Sequence, residues 1–436
     1  MQEDKRKLGL RDTMSLAIGT MIAAGIFVLP GIAIEKTGYG IIWAFILAAF
    51  ISFFSAMSYA ELAASYPKDG GGYMFSYEAF GSFWGFITGW STWLGHTAAA
   101  AFCIQGFSVY FNNFIFNTGS NLRLSIGLTI LLSLLNILGT TKVVSVTYLL
   151  NIGKIILLMI FIGFGFTKGS VENVTILSTK GFGPLVATIA LLYPTYFGYS
   201  VATNVGSEVK NPGKVIPKTI IYSMILVTII YVLVAISILS SGITVFNESS
   251  VGEAAIRLMG HGGGVLIALG AIFAALSAAN ANLISAAKIS TSMAEEDQLN
   301  KRLAVKNKRF ETPHRAILLN LLIVLLVLTL GDIRKIITTA TFIALLSMVL
   351  VNLAVIKLRR KHPHLSREFK VPFYPFTPIL GAVTSLILMF VLPPGAIILG
   401  LGFTVMGLLF YQARRTPVEK ISRFVREHVG NIIHRF

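Results

Sequence analysis

One lysine lies far from water. Lys154 occupies the centre of VVSVTYLLNIGKIILLMIFIGFGF, with roughly 16–18 Å of helix on either side at about 1.5 Å per residue. A lysine stem reaches water only from near a helix end, so this ammonium must face other protein groups. Ionisable groups at such depth are expensive, and a functional role is the first reading. Lys154 could release and regain a proton, or it could stand as a permanently charged strut.

Two further segments offer backbone chemistry. One is Gly19-Thr20-Met21-Ile22-Ala23-Ala24-Gly25-Ile26-Phe27, with Pro30-Gly31 behind it. The other is Tyr193-Pro194-Thr195-Tyr196-Phe197-Gly198-Tyr199-Ser200. Pro194 lacks an amide donor and clashes with the preceding turn, and Gly198 can leave a helix at little cost. A helix interrupted there exposes free N–H groups at the positive start of its second half and free carbonyls at the end of its first. Two such breaks could hold a carboxylate at one and an ammonium at the other, as a zwitterionic amino acid requires.

Other side chains carry weaker signals. His96 could relay protons or line a site, although a neutral, hydrogen-bonded core histidine is the commoner arrangement. Glu61 could pair with loop cations or gate one face, and Lys288 is expected to snorkel toward an interface. Tyr193, Tyr196, Phe197 and Tyr199 could close over a ligand or simply pack. The single Cys103 lies in an apolar run, so neither a disulfide nor a metal cluster is expected, and no cofactor is implied. His96 has no acidic neighbour in sequence, so no nucleophile–base pair for a membrane enzyme emerges. Gly70-Gly71-Gly72 and Gly262-Gly263-Gly264 are expected in loops and lack the context of a phosphate loop.

The elements that must position these residues follow from composition. Of the 436 residues, 55% are hydrophobic and only 13% charged, with a mean hydropathy of +0.76. A soluble domain carries about 25% charged residues, so an ordinary soluble enzyme, a disordered chain and a disulfide scaffold are excluded. Apolar runs of about 20 residues predict twelve spans: 13–34, 41–64, 83–111, 123–139, 143–166, 183–206, 219–241, 263–290, 316–331, 335–356, 377–392 and 396–413. The first reads as a retained helix rather than a signal peptide. Of the Lys and Arg residues, 27 fall in one set of alternate loops and termini and 7 in the other. That asymmetry puts both termini in the cytoplasm. It also assigns the net charge of +17 to topology and anionic lipid headgroups rather than nucleic acid. Ile421, Phe424, Val425, Val429 and Ile432 predict an amphipathic helix in the tail after residue 413. The two punctuated segments fall in spans 1 and 6, matching places of two five-span halves, a pattern that points to a midplane binding site.

At this point the motifs resemble the amino acid–polyamine–organocation (APC) superfamily of transporters. The span 1 segment is similar to G-x-x-I-G-x-G-I-F, and Tyr66-Pro67-Lys68-Asp69-Gly70-Gly71-Gly72-Tyr73 to Y-P-x-x-G-G-x-Y. Glu208-Val209-Lys210-Asn211-Pro212 with Ile216-Pro217-Lys218 resembles E-x-K-N-P…I-P-[KR]-A-I, and Ser277-Ala278-Ala279-Asn280-Ala281 resembles S-x-x-N-A. Ala23 stands where the family usually has glycine, and Ser207 where many members have glutamate.

The resemblance implies an all-α membrane protein with the LeuT-like fold. Its parts would be a cytoplasmic N-terminus (1–12), two inverted five-helix repeats (13–166 and 183–356) with helices 1 and 6 broken, two added helices (377–413) and a cytoplasmic tail (414–436). It implies secondary transport of amino acids across the cell membrane by alternating access, with no metal. The substrate site would comprise Ile22, Ala23, Ala24, Gly25, Ile26, Pro194, Thr195, Tyr196, Phe197 and Gly198. In a proton-coupled branch, a lysine at the place of Lys154 contacts a helix 1 carbonyl and a helix 8 hydroxyl, which match Gly19 and Ser277. Proton symport of neutral amino acids is therefore expected. Exchange, or carriage of polyamines or cationic amino acids, is the alternative, and a channel or membrane enzyme is the remote one. No Asp or Glu lies mid-span to receive a cationic substrate.

Overall fold

The computed structural model describes residues 8–67, 70–139, 141–170, 180–204 and 206–433, with the side chains of 141–148, 207 and 415–433 excepted. The expectations for Lys68, Asp69, the first seven residues and the apolar face of the tail lie outside it. The described chain is helical throughout, and its one β-bridge joins Leu8 to Val209.

The first expected span is two helices, α1 (Leu10–Met21) and α2 (Gly25–Thr37). After α3 (Ile41–Ser65) comes a short helix absent from the sequence reading, α4 (Gly72–Phe80), then α5 (Ser82–Phe114), α6 (Asn121–Leu138) and α7 (Thr141–Lys168). The sixth expected span is also divided. It consists of α8 (Phe182–Leu192), a single 3₁₀ turn at Tyr193–Tyr196 and α9 (Tyr199–Asn204). There follow α10 (Pro212–Ser240), α11 (Ser250–Met259), α12 (His261–Glu295), α13 (His314–Leu328), α14 (Ile333–Lys361), α15 (Phe376–Val391) and α16 (Pro394–Ile433).

Several boundaries correct the sequence reading. α10 begins at Pro212, so Pro212 occupies a first-turn position where its missing N–H costs nothing. Gly262, Gly263 and Gly264 form the first turn of α12, not a loop, because Gly260 at φ +78° already makes the turn. Gly72 likewise opens α4, with Gly70 and Gly71 at positive φ before it. α16 runs on through 414–433 without a break, where a separate tail helix was expected.

Eight described stretches are long and apolar enough to cross a bilayer. One of them, Gly25–Ser65, contains both α2 and α3. α13 and α15 are shorter apolar helices. α5, expected as a span, is not among the eight. It carries Thr88, Ser91, Thr92, His96, Thr97 and Ser108, and packs along α12 and α14. Interior packing lets a helix carry polar groups that lipid would exclude.

Three ion-pair clusters tie the ends of the bundle. Glu61 on α3, 2% exposed, accepts from Arg359 Nε (2.7 Å) and Nη2 (2.5 Å) and from the Val371 amide (2.6 Å), with Arg367 Nε at 3.5 Å. Arg334 on α14 bridges Glu35 and Glu248 at 3.0 and 2.8 Å. Lys288, expected to snorkel, instead pairs with Glu208 Oε1 at 3.2 Å, which draws the end of α12 to the segment before α10.

Candidate functional site

The two breaks meet. α1 ends at Met21, and its cap residue Ile22 turns to ψ +67°, out of the helical range. The chain then re-enters a helix at Gly25, where the amides of Phe27 and Val28 already bond to Ala24 O. The amides of Gly25 and Ile26 find no acceptor among the described residues, so the positive start of α2 is left open. Gly25 faces the other break: a Cβ there would stand 3.0 Å from the Thr195 methyl.

In the second break, Pro194 closes the 3₁₀ turn by accepting from Phe197 N at 3.1 Å, and the chain resumes as a helix at Tyr199. Gly198 is obligatory on space alone. A Cβ would come within 2.7 Å of Met21 N and Ala17 O, both backbone atoms that cannot swing away.

Both segments border one cavity of about 100 Å³, lined also by Tyr59 of α3 and by residues of α5, α12 and α14. Of the residues expected from sequence, Ala23, Gly25, Pro194, Thr195, Phe197 and Gly198 line it. Ile22, Ala24, Ile26 and Tyr196 do not. The isoleucines are fully buried in the core, and Tyr196 donates to Phe45 O at 3.0 Å. Of the four aromatic side chains that could close over a ligand or simply pack, Phe197 is the one that lines the cavity. Tyr193 and Tyr199 are fully buried with their hydroxyls directed at Ser55 and Met348, because a phenol withdrawn from water takes an internal partner.

Lys154 is fully buried beside the first break. Its Nζ donates to Gly19 O at 2.5 Å and Ser277 Oγ at 3.0 Å. The Ser277 hydroxyl spends its own proton on Ala274 O at 3.1 Å, which frees its lone pairs for the ammonium. One cation thus joins α1, α7 and α12. Asn151, one turn earlier on α7, packs against Gly19, where only a missing side chain admits it.

Two groups were not singled out from sequence. Tyr231 on α10 places its hydroxyl 2.5 Å from Met21 O and 3.2 Å from Thr195 O, between the two breaks. Asn282 on α12 holds His96 Nδ1 at 2.8 Å. A lone tyrosine in VTIIYVLVAI has no sequence signal for this. Asn282 had one: it is polar in an apolar helix, two residues after Asn280 of the S-x-x-N-A run.

The cavity lining contains no carboxylate, and among the described residues no three His, Cys, Asp or Glu side chains converge as metal ligands. The arrangement can bind a small dipolar molecule through main-chain groups, next to a buried cation.

The family profile for amino acid permeases matches residues 8–411. The chain is 30% identical to the serine/threonine exchanger SteT of Bacillus subtilis, over 87% of this chain and 90% of that protein. It is 29% identical to the branched-chain amino acid permease BcaP of the same organism, over 93% and 92%. A methylthioribose transporter of that organism is also 29% identical, over 89% and 88%.

Proposed function

This chain belongs to the amino acid permease family, and we propose that it carries neutral, zwitterionic amino acids across the cell membrane as a proton-coupled symporter. The family and the relatives are transporters, so the chain is not an enzyme. One observation carries the substrate reading: the backbone breaks at 22–24 and 193–198 border a single cavity that has no acidic side chain. The open amides of Gly25 and Ile26 would receive the substrate carboxylate. The carbonyls of Pro194, Thr195 and Phe197, which have left the regular helical ladder, each accept a hydrogen bond within the protein and would offer remaining acceptor capacity to its ammonium. A polyamine or cationic substrate would want a carboxylate in this lining. Competition by putrescine but not by alanine or leucine would therefore refute the neutral class.

The topology belongs to the same reading. Twelve crossings form two inverted five-helix repeats and a C-terminal pair, with both termini in the cytoplasm, and the site opens alternately to either side. Lys154 supplies the coupling. Charged, it clasps Gly19 and Ser277 and holds α1 against α7 and α12; neutral, it lets α1 swing. Membrane lipids and protons would be the remaining partners, with no role for nucleic acid.

Reconstituted protein decides the matter. An inward proton gradient should drive accumulation of a neutral amino acid into liposomes, and Lys154→Ala should abolish that drive while labelled counterflow persists. Accumulation by Lys154→Ala equal to that of the native chain would rule out the proton role. Exchange is the second reading, favoured by the similarity to SteT. Uptake only into liposomes preloaded with amino acid would establish it.

A further inference from the structure

The ring of His96 is set by two linked hydrogen bonds. Asn282 Nδ2 donates to Ala278 O at 2.9 Å, which turns its Oδ1 toward His96 Nδ1, 2.8 Å away. An amide oxygen only accepts, so Nδ1 carries the proton. In the neutral ring Nε2 is then an acceptor. Nε2 has no partner among the described residues, and His96 lines the central cavity. The cavity lining is otherwise mostly apolar, with Ala99, Phe102, Ile337 and Ala340 in it, and its Thr and Ser hydroxyls each donate to a backbone carbonyl of their own segment. This acceptor is not part of either helix break and is not used by main-chain binding of a zwitterion.

A fixed acceptor in an apolar wall discriminates by what it would leave unpaired. A ligand that donates to it gains a hydrogen bond. An isostere lacking the donor buries the acceptor with no partner, which costs more than the bond is worth. Sites built this way reject the analogue without the donor far more strongly than an apolar pocket rejects an extra methyl.

We propose that His96 Nε2 selects neutral amino acids whose short side chain carries a hydroxyl, over isosteres that carry a methyl in its place. The inference rests on the amino acid transport reading and narrows it. Similar proteins are named for serine and threonine in one case and branched-chain amino acids in another. Threonine and valine have the same shape and differ by one hydroxyl for one methyl, so His96 confronts the feature that separates the two classes. Asn282 acts through His96 as a positioning residue: it fixes which ring nitrogen faces the cavity.

The test compares threonine with valine on the purified full-length protein by thermal stabilisation and by inhibition of uptake. The native chain should bind threonine at least about tenfold more tightly than valine. His96→Leu should bring the two ligands to parity or favour valine, and retained valine binding would report an intact fold. His96→Gln, which keeps an acceptor, should keep a preference for threonine. Equal or tighter binding of valine by the native chain, or a threonine preference undiminished in His96→Leu, would overturn the assignment. If the native chain binds other neutral amino acids but neither of these two, the hydroxyl assignment falls and the transport reading stands. If it binds none of the twenty, both fall.

Discussion

The Tyr231 hydroxyl is hydrogen-bonded to the carbonyl of Met21, the last residue of α1, at 2.5 Å. The same oxygen lies 3.2 Å from the Thr195 carbonyl in the second break. One phenol, fully buried on α10, therefore reads the position of both interruptions at once. Carbonyls that lose helical partners in a dry interior need such donors.

Tyr231→Phe should remove the side-chain donor from the Met21 carbonyl, which keeps the Ala23 amide at 2.8 Å, at a cost of about 0.5–1.5 kcal/mol. The two breaks would then move more independently. Initial uptake in proteoliposomes should fall by about tenfold or more, with only a small drop in melting temperature. A variant that transports at the native rate would show that the bridge is packing alone.

Gly198→Ala tests the close approach of α9 to α1. The added methyl would meet the backbone at Met21 N and Ala17 O, 2.6 and 2.7 Å away. Overpacking of this kind costs about 1–3 kcal/mol, and here it also pushes the breaks apart. Binding of a neutral amino acid, measured by ligand-induced thermal stabilisation, should be lost, whereas Gly183→Ala, with open space around it, should behave as native.

Ser277→Ala removes one of the two acceptors found for the Lys154 ammonium, leaving Gly19 O. A hydrogen bond to a charged group contributes about 1.5–3 kcal/mol. The grip on α1 should loosen, so gradient-driven accumulation should fall while exchange of labelled substrate continues. Ser277→Thr, which retains the hydroxyl, should preserve accumulation. Measuring both activities on the same vesicles separates loss of coupling from loss of fold.

Glu61→Gln strips the negative charge that faces Arg359 and Arg367 and accepts from Val371 N. Removing one partner of a buried pair typically costs about 3–5 kcal/mol, here moderated because Arg359 keeps some exposure to water. The variant should melt well below the native protein in detergent. Native-like melting would mean that the pair contributes no net stability.

Much of this was legible in the chain itself. The excess of apolar side chain dictates many helices in lipid, because only helices or closed barrels satisfy their backbone there. Pro194 and Gly198 mark an interruption through their own covalent chemistry, and Gly25 marks another. Lys154, Gly19 and Ser277 could be grouped only through the resemblance to a family, since they lie far apart along the chain.

Tertiary packing decided the rest. Which residues of a broken helix face the cavity depends on rotation about the helix axis. Composition does not encode that rotation, so Ala23 and Gly25 line the cavity while Ile22 and Ile26 fill the core. Lys288 and Glu208 pair, and Tyr231 reaches two carbonyls, because separate helices happen to pass one another at those heights. His96 alone carries no instruction about its tautomer. Asn282, held in turn by Ala278 O, supplies it across 186 residues of sequence. Local chemistry sets where a helix can break or a charge can be buried; only three-dimensional contact sets what that break or charge meets.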